Sequence, residues 1–217
     1  MKTNRFFLLA GMAVFMLLFG CKSKTTETSA SDNPSEVAKE ATKGKYALKS
    51  GIVEYKTQMM GMDVKQTMYF DDYGKKETTD MEMEMMGVKI HTITITKDGF
   101  MYTFDMEKKT GTKVPSYQGT NQNIDFQNLS EELVKDMDLK KLGNEDFLGK
   151  TCEKMSIDYK KMGMKGTFLV YKGVALKSET DMGSMKMKLT AEKFVENPEI
   201  PAEKFEVPAD IKIVESK

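Results

Sequence analysis

Regular alternation of apolar and polar residues, broken at short intervals by turns, is the feature that most constrains how this chain folds. Met81, Met83 and Met85, for example, alternate with Glu82 and Glu84. In a β-strand such neighbours lie on opposite faces, and the same period of two recurs through most of the downstream sequence. Turn residues separate the runs at roughly ten-residue intervals, as an antiparallel meander requires. These turn residues are Gly61, Tyr73-Gly74, Gly87, Asp98-Gly99, Gly111, Gly163, Gly173 and Gly183.

One segment, "NLSEELVKDMDLKKLG", departs from this period and has its apolar residues at helical spacing. Ser130 is suited to cap the start of a helix and Gly143 to end it. The spacing predicts a helix over about residues 130–141 that turns Leu133 and Met137 toward the concave face of the sheet. The chain is therefore predicted to be mainly β (α+β), a single strongly curved antiparallel sheet (half-barrel meander) with a short helix. A last short strand is predicted at residues 211–214.

The first twenty residues differ in kind from the rest. Lys2 and Arg5 precede an almost wholly apolar run over residues 6–19, which is shorter than the about 20 residues of a transmembrane helix and has the proportions of a signal-peptide core. The ending Leu18-Phe19-Gly20-Cys21 resembles the lipobox of bacterial lipoproteins. That resemblance implies that residues 1–20 are a lipoprotein signal peptide and that Cys21 carries a diacylglyceryl group.

The segment after the cysteine is polar and has no apolar residue larger than alanine in "KSKTTETSASDNP". Residues 21–44 are accordingly predicted to be a lipidated, flexible tether, and residues 45–217 to be the β domain. Lys22 follows the cysteine, where some bacteria place an acidic residue to retain lipoproteins at the inner membrane. We therefore expect a cell-envelope protein, anchored to the outer membrane through Cys21 and facing the periplasm.

Composition excludes several functional classes. The 33 basic residues balance the 33 acidic ones, so no net positive field attracts nucleic acid. Neither a Gly-rich phosphate loop, nor metal-binding cysteine spacing, nor a nucleophile elbow is present in the sequence. Cys152 lacks an adjacent base in sequence and is interpreted as a buried structural thiol. We expect no catalytic residue, no cofactor and no nucleic-acid partner.

Three longer stretches, "YFDDYGKKET" (69–78), "FLGKTCEKMSIDY" (147–159) and "IPAEKFEVPADIKIV" (200–214), resemble the LolA/LolB-like half-barrel lipoproteins. They are more similar still to a branch of that superfamily found among secreted bacterial proteins. The resemblance implies a bent sheet whose concave face holds apolar ligands, which are acyl chains in the founding members. No functional residue of LolA or LolB can be matched to a position here.

The apolar faces of the predicted strands supply a candidate lining for such a ligand. We expect this lining to comprise Met62, Val64, Met68, Phe70, Met81, Met83, Met85, Phe100, Tyr102, Phe104, Met185 and Met187.

The 20 methionines admit three interpretations. They could pack an irregular core, form an adaptable mouth for a lipid, or bind a soft metal ion, since thioethers select Cu(I). Several of them flank glycine turns, and in a meander the turns at Gly61 and Gly87 share one end of the sheet. The turns at Gly163 and Gly183 likewise share an end, so the methionines form one rim if the two halves agree.

Other polar residues of ligand type are interpreted as surface. His91 in "VKIHTITIT" is read as a strand-face residue, and Asp71, Asp72, Glu82 and Glu84 as solvated carboxylates among lysines. No metal site is therefore expected, with Met81, Met83 and Met85 as the alternative.

The sequence thus predicts a lipoprotein that binds or chaperones an apolar ligand, a lipid or acyl chain, without catalysis. The alternative is a methionine-rich periplasmic Cu(I)/Ag(I)-binding protein, and a structural envelope protein without a ligand is the remaining interpretation.

The anchor can be tested directly. Cys21→Ser should release the protein from the membrane or leave an uncleaved precursor, because the acyl chains that hold it would be lost. Metabolic labelling with a fatty-acid probe measures this, and label that persists on the variant would place the anchor elsewhere.

Overall fold

The computed structural model of the protein describes residues 44–59, 61–116, 124–183 and 185–215. The predicted signal peptide, the lipidation of Cys21 and the tether up to residue 43 lie outside the described residues. Among the helices of the described ranges, none is both long enough and apolar enough to cross a bilayer.

Twelve strands and one α-helix make up the regular structure of the described residues, together with a few 3₁₀ turns. The strands are β1 (Gly51–Met59), β2 (Met62–Asp71), β3 (Lys76–Met85), β4 (Val88–Lys97), β5 (Phe100–Asp105), β6 (Thr110–Pro115), β7 (Lys140–Phe147), β8 (Lys150–Tyr159), β9 (Met164–Tyr171), β10 (Val174–Asp181), β11 (Lys186–Glu196) and β12 (Lys212–Glu215). The helix α1 spans Glu131–Asp136.

All twelve strands belong to one sheet, in the order β12-β6-β5-β4-β3-β2-β1-β11-β10-β9-β8-β7. Two antiparallel meanders, β1–β6 and β7–β11, are joined edge to edge where β1 pairs antiparallel with β11. The late strand predicted at residues 211–214 is β12, and it pairs parallel with β6. The prediction of a mainly β fold with a single antiparallel sheet and a short helix is confirmed, with β12 as the parallel addition.

The two faces of the sheet can be followed from strand to strand, because residues paired directly across a ladder point the same way. We call the face that α1 covers the inner face and the opposite one the outer face. Starting under the helix at Met155, the inner face runs through the paired residues Phe168, Ser178, Leu189, Thr57 and Val64.

The helix covers the β8–β9 side of the inner face. The Ser130 hydroxyl caps its start by accepting a hydrogen bond from the Leu133 N–H at 3.1 Å. Met137 is 2% exposed and belongs to one core cluster with Met155 and Ile157, while Leu133 packs against that cluster. Leu133 and Met137 therefore turn toward the sheet, which is the packing contact that the prediction requires. The predicted end of the helix near residue 141 is wrong, because the chain turns into β7 at residue 140 and pairs with β8 there.

A segment at residues 44–50, which we call the strap, closes one end of the inner face. The Tyr46 N–H donates to the Tyr73 carbonyl at 3.1 Å, and the Ala47 N–H donates to the Lys172 carbonyl at 3.0 Å, so the segment links the β2–β3 turn to the β9–β10 turn. Tyr46 and Leu48 are buried in a second core cluster that includes Val53 and Phe70 of the sheet. The segment also makes polar contacts with Glu77 of β3, whose carboxylate accepts hydrogen bonds from the Lys45 ammonium at 2.8 Å and from the Tyr46 hydroxyl.

The outer face has a core of its own beside β3–β5. The 3₁₀ turn Ala202–Phe205 contacts β3 and β4, and the Thr78 hydroxyl donates to the Lys204 carbonyl at 2.7 Å. Phe205 is buried there, and Ile95 and Phe104 on the same face are 1% and 0% exposed. The sheet is therefore buried on both faces, in different regions.

Gly111 was predicted to form a turn and instead lies inside β6. A Cβ atom there would approach Phe104 Cδ1 to 2.5 Å, so glycine is required by the packing of the outer face. The chain turns before β6, where Lys109 adopts a φ of 55°.

The buried Glu77 cluster generates a stability prediction. Glu77→Ala should lower the free energy of unfolding by about 3 kcal/mol, because it strands the Lys45 ammonium in a site where that side chain is only 13% exposed. Urea denaturation measures the loss. Lys193→Met, which breaks the solvent-exposed pair with Glu54, is the control and should cost under about 1 kcal/mol. Equal costs for the two variants would contradict the buried role.

Candidate functional site

Four methionine–glycine turns lie at the same end of the sheet, which we call the methionine end. Met59 pairs with Met62 across the β1–β2 turn and with Met187 of β11, so the turns at Gly61 and Gly183 are neighbours. The pairing of Asp181 with Lys165 brings the turn at Gly163 to that end as well. The turn at Gly87 follows because the β2–β3 turn lies at the opposite end. The two halves of the sheet therefore agree, as the methionine-rim interpretation required.

A continuous row of inner-face side chains crosses four strands at this end. Thr180 of β10 pairs with Met187 of β11, Met187 pairs with Met59 of β1, and Met59 pairs with Met62 of β2. Directly opposed residues have Cβ atoms about 4.5–5.5 Å apart, so the three thioethers are lateral neighbours. All three methionines are half-buried, which leaves part of each side chain open to a ligand.

The row ends on a polar atom without a partner. Thr180 is 8% exposed, and among the described residues its Oγ1 makes no hydrogen bond to protein. A buried hydroxyl without a partner costs free energy, so any ligand or water atom that reaches this position would gain a hydrogen bond. The predicted lining lacked both Thr180 and Met59, although Met59 flanks one of the predicted methionine turns, because nothing local to either residue shows that β10 and β1 flank β11.

Most of the predicted lining lies on the inner face, at different depths. Val64, Met68 and Phe70 are 1%, 6% and 0% exposed and form core rather than accessible surface. Of the predicted lining, Met62, Met81, Met83, Met85 and Met187 are partly accessible on this face, and half-buried Met185 directly precedes β11. Met85 is 42% exposed at the tip of the β3–β4 hairpin.

The prediction that Phe100, Tyr102 and Phe104 share this lining is wrong. Phe104 pairs with Ile93, and Ile93 pairs with Asp80, which alternates with Met81 and so lies on the outer face. The same register assigns Phe100 and Tyr102 to the outer face. The alternation along β5 is present as predicted, but alternation does not say which of the two faces is the inner one.

Beyond β3 the inner face changes from thioethers to hydroxyls. Thr92, Thr94 and Thr96 of β4 take the positions opposite Met81, Thr79 and Glu77. A depression of about 340 Å³ here is lined by threonines and Asp105 together with Phe104, Gly111 and Val214. A second depression, of about 260 Å³, has Glu145, Lys154, Lys177 and Glu179 in its lining.

The pKa values of two buried groups, the Cys152 thiol and the Tyr55 hydroxyl, are raised. Burial raises the pKa of the Cys152 thiol, and the carboxylates of Asp146 and Glu145 raise it further. The thiol is therefore protonated at neutral pH, as expected of a structural cysteine. Burial also raises the pKa of the Tyr55 hydroxyl, which donates to the Ala175 carbonyl at 2.9 Å and so ties β1 to β10.

The sequence matches no protein-family model and no curated protein. Among solved structures, the chain is similar to a conserved protein from Thermus thermophilus, with 10% identity and a TM-score of 0.54 over 82% of this chain and 93% of that one. It is also similar to MucB, with 10% identity and a TM-score of 0.51 over 81% of this chain, and it spans 62% of the MucB chain. Both proteins have the LolA-like fold, and at this identity the likeness shows the fold alone.

The assignment of faces generates a second prediction. Phe104→Ala should destabilise the protein by about 3–5 kcal/mol, because a fully buried aromatic ring leaves a cavity. Met83→Ala should cost about 1 kcal/mol, because that side chain is already half-exposed at the candidate site. Unfolding midpoints in urea report both values, and the reverse ranking would show that Phe104, rather than Met83, lines an open face.

Proposed function

We propose that the protein is a lipid-anchored cell-envelope protein that binds an apolar ligand, a lipid or acyl chain, at the methionine end of the inner face, without catalysis. The observation that carries the proposal is the row of half-buried methionines that ends on the unpartnered hydroxyl of Thr180. The LolA-like fold supports it, since the resemblance of the sequence to LolA and LolB implies a sheet that holds acyl chains.

The row suits a ligand with one apolar and one polar part. Methionine is unbranched and flexible, so neighbouring thioethers adapt to a chain of variable shape. Each methylene removed from water contributes about 0.8 kcal/mol, and the Thr180 hydroxyl can pair with a carboxyl or ester oxygen at the polar end. A hydrocarbon without a polar group would bind less well, because it would leave the Thr180 hydroxyl without a hydrogen-bond partner.

The first described residue lies at the end of the sheet opposite the methionines. The described chain begins at Gly44, whose carbonyl accepts from the Asn128 amide at 3.0 Å, close to the strap that crosses the β2–β3 and β9–β10 turns. These turns lie at the end of the sheet opposite the methionines. The proposed anchor at Cys21 thus precedes, in sequence, the end of the sheet that lacks the methionine row, which is compatible with a ligand site at the other end.

Ligand binding can be tested on the whole mature chain, residues 21–217, with Cys21→Ser to prevent acylation. A dansyl-labelled fatty acid should bind, and unlabelled palmitate should displace it. Met187→Lys should weaken binding at least about tenfold, because it sets an ammonium in the methionine row.

The matched control is Val195→Lys, which makes the same kind of change on the same strand. Val195 pairs with Ile52 and lies on the outer face, where it is 36% exposed. This variant should bind within about twofold of the parent. Absence of binding in the parent, or equal losses in the two variants, would refute the proposal.

A soft-metal site is the second candidate, and one observation favours it. Met187, Met59 and Met62 are direct cross-strand neighbours, whereas Met81, Met83 and Met85 follow one another along a single strand at about 6.5–7 Å. Three adjacent thioethers are a set that Cu(I) prefers.

Met59→Leu and Met187→Leu separate the two candidates, because leucine keeps the apolar volume and removes the sulfur. Fatty-acid affinity should stay within about twofold of the parent. A Cu(I) titration against a competing chelator should show weak binding that is equal in parent and variants. Tight Cu(I) binding that falls more than tenfold in the leucine variants would replace the lipid proposal by the metal one.

A further inference from the structure

A second cluster of ligand-type side chains lies on the outer face of the β3–β4 hairpin. Glu82 of β3 pairs directly with His91 of β4, and Asp80 lies two residues from Glu82 on the same face. The Asp80 Oδ1 and His91 Nε2 atoms are 2.8 Å apart. One donor atom from each of the three residues lies within 4.8 Å of the other two.

We propose that Asp80, Glu82 and His91 bind a divalent transition-metal ion of the zinc class. Zn²⁺ takes imidazole nitrogen at about 2.0–2.1 Å and carboxylate oxygen at about 2.0–2.2 Å, usually with tetrahedral geometry. Ligand atoms around such an ion are about 3.4 Å apart, so metal binding would replace the Asp80–His91 hydrogen bond and bring the Glu82 carboxylate closer to both. The three residues leave a fourth position for water or an external ligand.

The backbone holds these ligands in place. The β3–β4 ladder runs without a register shift from Glu77 to Met85, so the Cα positions of all three residues are set by regular strand pairing. The side chains of Asp80 and His91 are 27% and 28% exposed, which limits competition by bulk water. Glu82 is exposed and gives the ion a route in from solvent.

The mixed ligand set selects the class of metal. Imidazole suits Zn²⁺ and similar ions, whereas Mg²⁺ and Ca²⁺ prefer oxygen alone. Soft Cu(I) is drawn to thioethers, and Met81 and Met83 point from the same strand toward the inner face. The proposed site is therefore separate from the methionine end in both position and chemistry.

The cation in the adjacent strand is Lys65, which pairs across β2 and β3 with Glu82. Its positive charge lies on the same face as Glu82 and disfavours a second cation beside that carboxylate. Because Lys65→Gln removes this positive charge, the variant should bind a divalent ion severalfold more tightly than the parent.

His91 is the only histidine in the chain, which makes the test specific. Zn²⁺ is titrated into the tag-free mature chain carrying Cys21→Ser, against a chromophoric chelator, while the imidazole signals of His91 are followed by NMR. We expect one Zn²⁺ to bind per chain, the chemical shifts of the His91 imidazole to change up to saturation, and the thermal unfolding temperature to rise. A 100-fold excess of Mg²⁺ should not displace the zinc.

Variants distinguish binding at a defined site from nonspecific electrostatic attraction of the metal ion. His91→Gln and Asp80→Asn should each weaken binding at least tenfold, and so should Glu82→Gln, whose exposed position makes misfolding no concern. The matched control is Glu84→Gln, which removes the next carboxylate on the same strand and face, where Glu84 pairs with Lys89. It should change affinity less than twofold.

Two results would overturn the proposal. In the first, the His91 signals do not move at a zinc excess that saturates the protein. In the second, Glu84→Gln weakens binding as much as Glu82→Gln, which would show a diffuse negative surface and no defined site.

Discussion

The pairing of β1 with β11 is the interaction on which the rest of the structure depends. It runs from Gly51–Glu196 to Met59–Met187 and joins two meanders that would otherwise be separate sheets. Each meander alone would present an unpaired edge strand, with backbone groups free to pair with another chain. The same pairing sets Met187 beside Met59, so the methionine row exists only because the two halves meet in this register.

Burial on both faces is the second organising feature. The helix and the strap at residues 44–50 cover parts of the inner face, and the C-terminal 3₁₀ turn covers the outer face of β3–β4. Each of these elements packs on a part of the sheet whose apolar side chains point toward it. Among the described residues, neither the helix nor the strap covers the methionine end, where the side chains of the inner face are half-buried.

The β3–β4 hairpin serves both proposed sites from opposite faces. Met81 and Met83 face inward, while Asp80, Glu82 and His91 face outward on the same two strands. A metal ion bound outside would restrain the strands that carry the inner methionines. Occupancy of one face could then alter ligand binding on the other, because a shared, stiffened hairpin changes the entropy lost when a ligand orders it.

The sequence by itself determined the strands, their turns, the capped helix and which residues of one strand share a face, because alternation and turn chemistry are local properties. It also determined that the methionine–glycine turns of each meander share an end. Only the tertiary structure decided which face of β5 is buried: Phe104 and Met81 show equal alternation, yet the C-terminal segment covers one and leaves the other half-open. It alone grouped Thr180, Met187, Met59 and Met62, because their contact requires pairing between strands far apart in the chain, which no local pattern encodes.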